Sequence, residues 1–175
     1  VEEVEQVRSA LGLNQDNGYL IGNSWGTVLG LEYALKYQGN IKALVAANMQ
    51  ASFPEYAAYN AKLRSQMPSS VIDRLKVFED NGDYRNEDYI ALVTHTYYRK
   101  HICRMDPFPN SFERALEHVN GHIYELMQGP SEFVPGGRLA HWDVTNKLKH
   151  IYIPTLMVGA THDSMTPQAI EKMAE

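Results

Sequence analysis

Apolar positions change their period twice along the chain. In the opening VEEVEQVRSALG, residues Val1, Val4, Val7 and Leu11 fall at helical spacing, with Gly12 placed to stop the helix. YLIGN then reads as a short buried strand, TVLGLEYALKYQ as a helix and IKALVAAN as a second buried strand. Strands apolar on both faces and separated by one helix predict a right-handed crossover in a parallel sheet. Beyond about residue 50 the alternation of strands stops. EYAAYNAKLRSQM, SSVIDRLKVFEDN, NEDYIALVTHTYYRKHI and SFERALEHVNGHIYELM are amphipathic helical patterns, broken by Pro54, Pro68, Gly82, Pro107, Pro109 and Pro130. Ser69 or Ser70 is expected to cap one of these helices and Asn86 another. From about residue 147 the first texture returns: HIYIPTLMVGA predicts a strand, and TPQAIEKMAE a helix with Pro167 in its first turn. The expectation is an α/β fold, a parallel sheet flanked by helices. Its core spans residues 1–50 and 147–175, and residues 51–146 form a helical insertion placed as a cap.

Composition narrows the function classes. The chain has 175 residues, enough for one sizeable core, and is 44% hydrophobic and 21% charged, as in an ordinary globular protein. Sixteen basic against 21 acidic residues give a net charge of −5, with no basic block, which argues against a nucleic-acid partner. No run of 18 apolar residues predicts a membrane span. Cys103 is the only cysteine, so no internal disulfide forms. It reads as a small apolar residue in a helical layer, and a reducing, cytoplasmic setting is expected. No pairing of His, Asp, Glu or Cys has metal-site spacing, so neither metal nor other cofactor is expected. Nothing in the sequence sets an oligomeric state.

One serine stands out. Gly22-Asn23-Ser24-Trp25-Gly26 matches G-x-S-x-G, which a chain of this size meets by chance with odds of roughly one in twenty. The setting is more specific, because a strand leading through the pentapeptide into a helix is what a nucleophile elbow requires. There the glycines remove β-carbons that would collide as strand turns into helix, and Ser24 is left strained at the strand tip. The backbone N–H of Trp25 would then point at a developing oxyanion. The inert alternative is a Gly-Ser turn. A serine needs a base, and the base an orienting carboxylate. Asp163, in PTLMVGATHDSMTP, lies just beyond a strand in a loop that opens a helix, at the carboxyl-end edge of an open sheet. Its alternative role is a helix cap or an Asx turn. No histidine follows Asp163. His162 adjoins it and would point elsewhere, and His95, His101, His118, His122 and His141 read as surface or packing residues of the insertion.

GNSWGTVLGLEYALKY, GPSEF and GGRLAHWDVTNKLKHIYIPTLMVGATHD together resemble the proline iminopeptidases and related aminopeptidases of the α/β-hydrolase superfamily, over nearly the whole chain. The resemblance implies an enzyme that removes an N-terminal residue, often proline, from short peptides, with Ser24 as nucleophile and Asp163 as triad acid. It also implies that Glu132 of GPSEF helps hold the substrate's free α-amino group, as a carboxylate facing a desolvated ammonium would. Glu132 read without the resemblance is a solvated loop charge. Trp142-Asp143 is expected to fix the return from insertion to core. Where some members carry a second acid directly after the triad acid, this chain has Ser164. The family's Gly-rich oxyanion loop and its catalytic histidine have no counterpart here. The chain therefore reads as an internal piece of a longer enzyme, inactive alone. The alternatives are an esterase or amidase acting on a small molecule, or a non-catalytic binding protein on the same fold.

Overall fold

A computed structural model describes residues 1–175. The elements follow in the order α1 (Glu2–Ala10), β1 (Tyr19–Asn23), α2 (Trp25–Tyr37), β2 (Ala43–Ala47), α3 (Phe53–Ser65), α4 (Ser69–Asp80) and α5 (Glu87–Val93). Then come α6 (Arg99–His101), α7 (Asn110–Glu117), α8 (Gly121–Gln128), β3 (Thr155–Val158) and α9 (Pro167–Met173). The chain divides into two units. Unit 1 comprises Val1–Ser52, Asp143–Thr161 and Met165–Glu175, and unit 2 comprises Phe53–Trp142 and His162–Ser164.

Unit 1 is built on a three-stranded sheet in the order β1-β2-β3, every pair parallel. Register places Ile21 beside Val45 and Val45 beside Leu156, and on the same face Asn23 beside Ala47 and Ala47 beside Val158. On the opposite face α2 packs closely. It buries Thr27, Val28, Gly30, Leu31, Tyr33 and Ala34, and a β-carbon on Gly30 would sit 3.1 Å from the Leu44 side chain. The first face is bare: Ile21 is 72% exposed and Leu156 60%. The expectation of strands buried on both faces therefore holds on one only, because α2 covers a single face and a parallel sheet needs a layer on each.

The apolar stripe of α1 is likewise not buried, with Val7 and Leu11 exposed. That helix is held by polar contacts, since Glu5 accepts hydrogen bonds from Arg8, from Tyr33 (2.6 Å) and from Asn40 (3.0 Å). Gly12 ends it at φ +65°, the left-handed region where glycine is favoured. β3 is shorter than HIYIPTLMVGA predicts. Residues 145–150 wind as a 3₁₀ turn, and the Gln38 side chain takes up the His150 carbonyl and the Tyr152 N–H, both at 2.8 Å. Pro154, with no N–H, contributes only its carbonyl, which accepts from Leu44.

Unit 2 is helical and closes a core of its own around Leu63, Leu75, Tyr89, Val93, Tyr97 and Phe133. Arg64 clamps Glu79 through two hydrogen bonds of 2.9 and 2.6 Å, tying α3 to α4. Asn86 caps α5 as expected, accepting the Asp88 N–H. The cap position of α4 is Pro68, with Ser69 and Ser70 inside the first turn; no side chain caps this helix, and the Pro68 carbonyl accepts from the Val71 and Ile72 N–H groups. After α5 the backbone widens into a π-helical turn, Thr94–Tyr98, before α6. The pattern read as one helix across 111–127 is two, because Asn120 caps α8 by accepting from Ile123. No helix is long and apolar enough to cross a membrane.

Candidate active site

The tip of β1 is a sharp turn. Asn23 ends the strand, Ser24 adopts φ +53° and ψ −121°, and α2 starts at Trp25. A non-glycine residue held there stores strain on the order of 1–3 kcal/mol and persists only where its neighbours fix it. They do: the Ser24 N–H donates to the Ala47 carbonyl (2.8 Å) and the Ser24 carbonyl accepts from the Thr27 N–H (2.8 Å). Gly22 is required by close approach, because a β-carbon there would lie 2.1 Å from the Gly26 carbonyl oxygen. Gly26 differs from the expectation that both glycines relieve a collision, since a β-carbon on it would meet nothing within 4 Å.

A residue the sequence reading passed over completes the turn. Thr27 is fully buried, and its hydroxyl donates to the Ala47 carbonyl (2.7 Å) with the Gly22 carbonyl 3.0 Å away. It also accepts the Ala47 N–H at 2.9 Å. One side chain thus ties the first turn of α2 to β1 and β2. The signal for it was a threonine one turn after the serine, among the apolar residues that open an amphipathic helix. Ser24 is half-buried and Trp25 is exposed at the head of α2, where the first N–H groups have no acceptor within the helix.

Unit 2 holds the two carboxylates of interest. The Asp163 carboxylate accepts from the Ser164 N–H (2.7 Å) and from the Ser164 hydroxyl (3.2 Å). Ser164 is buried, and its carbonyl lies 3.3 Å from the Asn60 amide nitrogen, which also donates to the Tyr56 carbonyl at 2.9 Å. Tyr97, fully buried, donates its hydroxyl to Asn60 Oδ1. Burial pushes the Tyr97 phenol far above its ordinary range, so it stays a neutral donor. His101 adds a further anchor, with Nδ1 3.0 Å from the His162 carbonyl. The loop bearing Asp163 is therefore pinned on both sides by side chains of α3, of the π turn and of α6.

Glu132 accepts a 2.6 Å hydrogen bond from Tyr124, whose phenol is itself pushed up by burial. Burial first, and the negative charge of Asp163 second, raise the Glu132 carboxyl from 4.5 to about 7. The structure thus brings Glu132 and Asp163 into electrostatic reach of one another within unit 2, while Ser24 and Trp25 belong to unit 1. Asp143 plays a local part: its carboxylate accepts from the Thr145 N–H at 2.9 Å and is held below its ordinary range chiefly by that bond. Asn60, Tyr97 and Tyr124 were not singled out from sequence. Each is a polar side chain at an interior helical position, which periodicity alone files with the core.

Comparison with known proteins agrees with this layout. The model of the alpha/beta hydrolase fold family matches residues 1–175. The proline iminopeptidase of Flavobacterium johnsoniae is 48% identical over 100% of this chain and 59% of its own length. Among solved structures, VinJ superimposes with a TM-score of 0.89 at 31% identity, covering 98% of this chain and 58% of the other. The proline iminopeptidase of Mycobacterium smegmatis gives a TM-score of 0.80 at 30% identity, covering 98% of this chain and 57% of the other. The chain therefore spans somewhat under three-fifths of the length of each of these proteins.

Proposed function

From the premise that the chain belongs to the alpha/beta hydrolase fold family, we propose that it is part of a serine aminopeptidase. The enzyme releases an N-terminal residue, proline preferred, from short peptides through an acyl-enzyme. One observation carries the reading: Ser24 at φ +53° between β1 and α2, over a glycine whose β-carbon the turn forbids. A strained, backbone-locked serine at a strand tip is the geometry of an elbow nucleophile.

In this reading the Ser24 hydroxyl attacks the scissile carbonyl and passes its proton to a histidine, and the carbonyl oxygen takes up negative charge facing the Trp25 N–H. The C–N bond breaks as the histidine returns the proton to the leaving amine, and water then releases the acyl group by the same route in reverse order. Asp163 orients the histidine, which we assign to the part of the longer protein not contained in these 175 residues. Glu132 receives the substrate's ammonium, a contact that a blocked N-terminus cannot make. The fold and the relatives' identities of 44–48% support the reading, since the proteins of that similarity carry the name proline iminopeptidase. The single cysteine, half-buried Cys103, is why we place the enzyme in the cytoplasm.

Ser164 favours a second reading. It donates to Asp163 where a second carboxylate would strengthen the hold on an ammonium, and a small-amide or ester hydrolase needs no such hold. The test uses the full-length protein. Labelling of Ser24 by a fluorophosphonate, together with prolyl-arylamide turnover exceeding acetyl-ester turnover, is the expected result. Ester turnover without prolyl turnover selects the second reading, and no labelling of Ser24 removes both.

A further inference from the structure

Asp163 lies in a tripeptide whose surroundings are helical. His162, Asp163 and Ser164 group with unit 2, although Thr161 before them and Met165 after them belong to unit 1. The peptide plane before the Asp163 Cα carries the His162 carbonyl, which accepts from His101 Nδ1 at 3.0 Å. A carbonyl only accepts, so His101 carries a proton on Nδ1, and that donor is present in the neutral ring and in the charged one. Tyr97 packs against the same ring with centroids 5.2 Å apart, which restricts how the imidazole can turn. The plane after the Cα carries the Ser164 N–H, which donates to Asp163 Oδ1 at 2.7 Å. One plane further on, the Ser164 carbonyl lies 3.3 Å from the Asn60 amide nitrogen. Asn60 is itself oriented at both ends, by the Tyr97 hydroxyl on its oxygen and by the Tyr56 carbonyl, 2.9 Å from its nitrogen. Asn60 and Tyr97 are both fully buried. Polar side chains cost free energy in a core unless they are hydrogen-bonded, and a satisfied network rigidifies what it holds. What this one holds is the acid loop.

We infer that the helical unit has a task in the chemical step as well as in holding substrate: through His101, Tyr97 and Asn60 it aims the triad acid. The inference rests on the serine-hydrolase reading of Ser24 and Asp163, whichever substrate that hydrolase takes. All three residues act through the backbone of the acid loop, which makes them positioning residues. The direction of the Asp163 Cα–Cβ bond follows from the peptide planes on either side of it, so freeing one plane lets the carboxylate swing. A carboxylate that orients a catalytic histidine contributes up to about ten-thousandfold to turnover. Misplacing one member of such a constellation by about 1 Å costs on the order of a hundredfold. Loosening the loop therefore lowers kcat by part of the acid's full contribution, while substrate contacts elsewhere in the unit, and with them KM, stay as they are.

The experiment measures kcat and KM of full-length variants on the substrate, prolyl arylamide or acetyl ester, that the parent protein turns over, with stability read by chemical denaturation. His101→Phe keeps a ring against Tyr97 and deletes the donor; kcat is expected to fall about tenfold, with KM within about twofold of the parent's. His101→Asn places an amide nitrogen near the position of Nδ1 and is expected to restore kcat to within about threefold of the parent's. Asn60→Leu is expected to cost about a hundredfold in kcat; should it fail to fold, His101→Phe, at a half-buried position, still decides the question. Leu75→Val is the control, because it loosens the core of unit 2 without removing a hydrogen bond. It is expected to lower stability and leave kcat unchanged. Three results overturn the proposal: a parent-like kcat in His101→Phe, a loss that His101→Asn does not reverse, or an equal loss in Leu75→Val. Failure of the underlying reading looks different. A parent protein whose Ser24 a fluorophosphonate does not label removes the hydrolase reading and this proposal with it. A labelled, active parent whose variants keep its kcat removes the positioning role alone.

Discussion

The two units solve the problem of holding a reactive group in different ways. In unit 1 the backbone does the work. Ser24 is fixed by a strand–turn–helix path, by hydrogen bonds to the end of β2 and to the first turn of α2, and by the buried Thr27 hydroxyl that ties that turn to both strands. Yet the sheet that supports this turn keeps one face in water, with Ile21 72% and Leu156 60% exposed. Unit 2 has the opposite character. Its core is closed by aromatic and aliphatic side chains, and its carboxylates are held through side chains: Tyr124 donates to Glu132, and Tyr97 and Asn60 brace the carbonyl of Ser164, whose hydroxyl donates to Asp163. A backbone-fixed group survives loss of neighbouring layers as long as the turn itself is packed. A side-chain-fixed group depends on every link.

The largest effect tests the backbone-fixed group. Ser24→Ala in the full-length enzyme is expected to lower turnover about a thousandfold or more and to abolish fluorophosphonate labelling. Its fold should stay intact, because neither backbone hydrogen bond of residue 24 involves the hydroxyl. The next effect separates the two glycines. Gly22→Ala places a β-carbon 2.1 Å from the Gly26 oxygen and 2.4 Å from its carbon, so the turn must open, at a cost of about 3 kcal/mol or more. Gly26→Ala meets open space and is expected to lie within about 1 kcal/mol of neutral, on the stabilising side. Chemical denaturation reads both. Equal losses for the two glycines would mean that the turn is not held as tightly as its contacts indicate.

The same contrast explains what could be read from the sequence. G-x-S-x-G between an apolar run and an amphipathic one is a local pattern, and a local pattern suffices where the backbone does the holding. YLIGN appears as β1 at its full length, and α2 begins at the residue after the serine. Asp163 was legible as a loop carboxylate after a strand, although the strand itself is shorter because Gln38 intercepts the ladder. Glu132 was legible only through family resemblance. The residues that hold these carboxylates were not legible: Asn60 and Tyr97 are 37 positions apart, and Tyr124 meets Glu132 across a chain reversal. Nor does periodicity reveal that Ile21 and Leu156 are exposed, since strand patterns report which positions are apolar and not what covers them.

Glu132 offers a thermodynamic test of unit 2. Its carboxyl is raised from 4.5 to about 7 in the fold, so between those values the folded state binds more protons than the unfolded one. Stability therefore falls as pH rises through this window, and the full cost is present above about pH 7. The span corresponds to at most about 3 kcal/mol, and partial solvent contact of the side chain trims this to about 2 kcal/mol. Glu132→Gln removes the titration while keeping an acceptor for Tyr124. It is expected to match the parent protein in stability near pH 4.5 and to exceed it by about 2 kcal/mol at pH 8, with loss of amine recognition. A variant no more stable at pH 8 than at pH 4.5, relative to the parent, would place Glu132 in water instead.

The smallest effect concerns the chain of links behind Asp163. Tyr97→Phe deletes the hydroxyl that reaches Asn60 and leaves a fully buried amide oxygen one donor short, a cost of about 1–2 kcal/mol. A structural loss of that size could arise anywhere in a core, so the informative quantity is its coupling to Ser164→Ala, which cuts the link on the other side. Tyr97 and Ser164 meet on the Asn60 amide, Tyr97 at its oxygen and Ser164, through its carbonyl, at its nitrogen, and residues within one hydrogen-bond network couple by about 0.5 kcal/mol or more. Non-additive stability losses of that size in the double variant are expected, together with a shift in the pH profile of turnover, since Ser164 donates to the carboxylate that orients the base. Additive losses with an unmoved profile would reduce Tyr97 to a packing residue, and would leave the Ser164 backbone N–H as the contact that fixes Asp163.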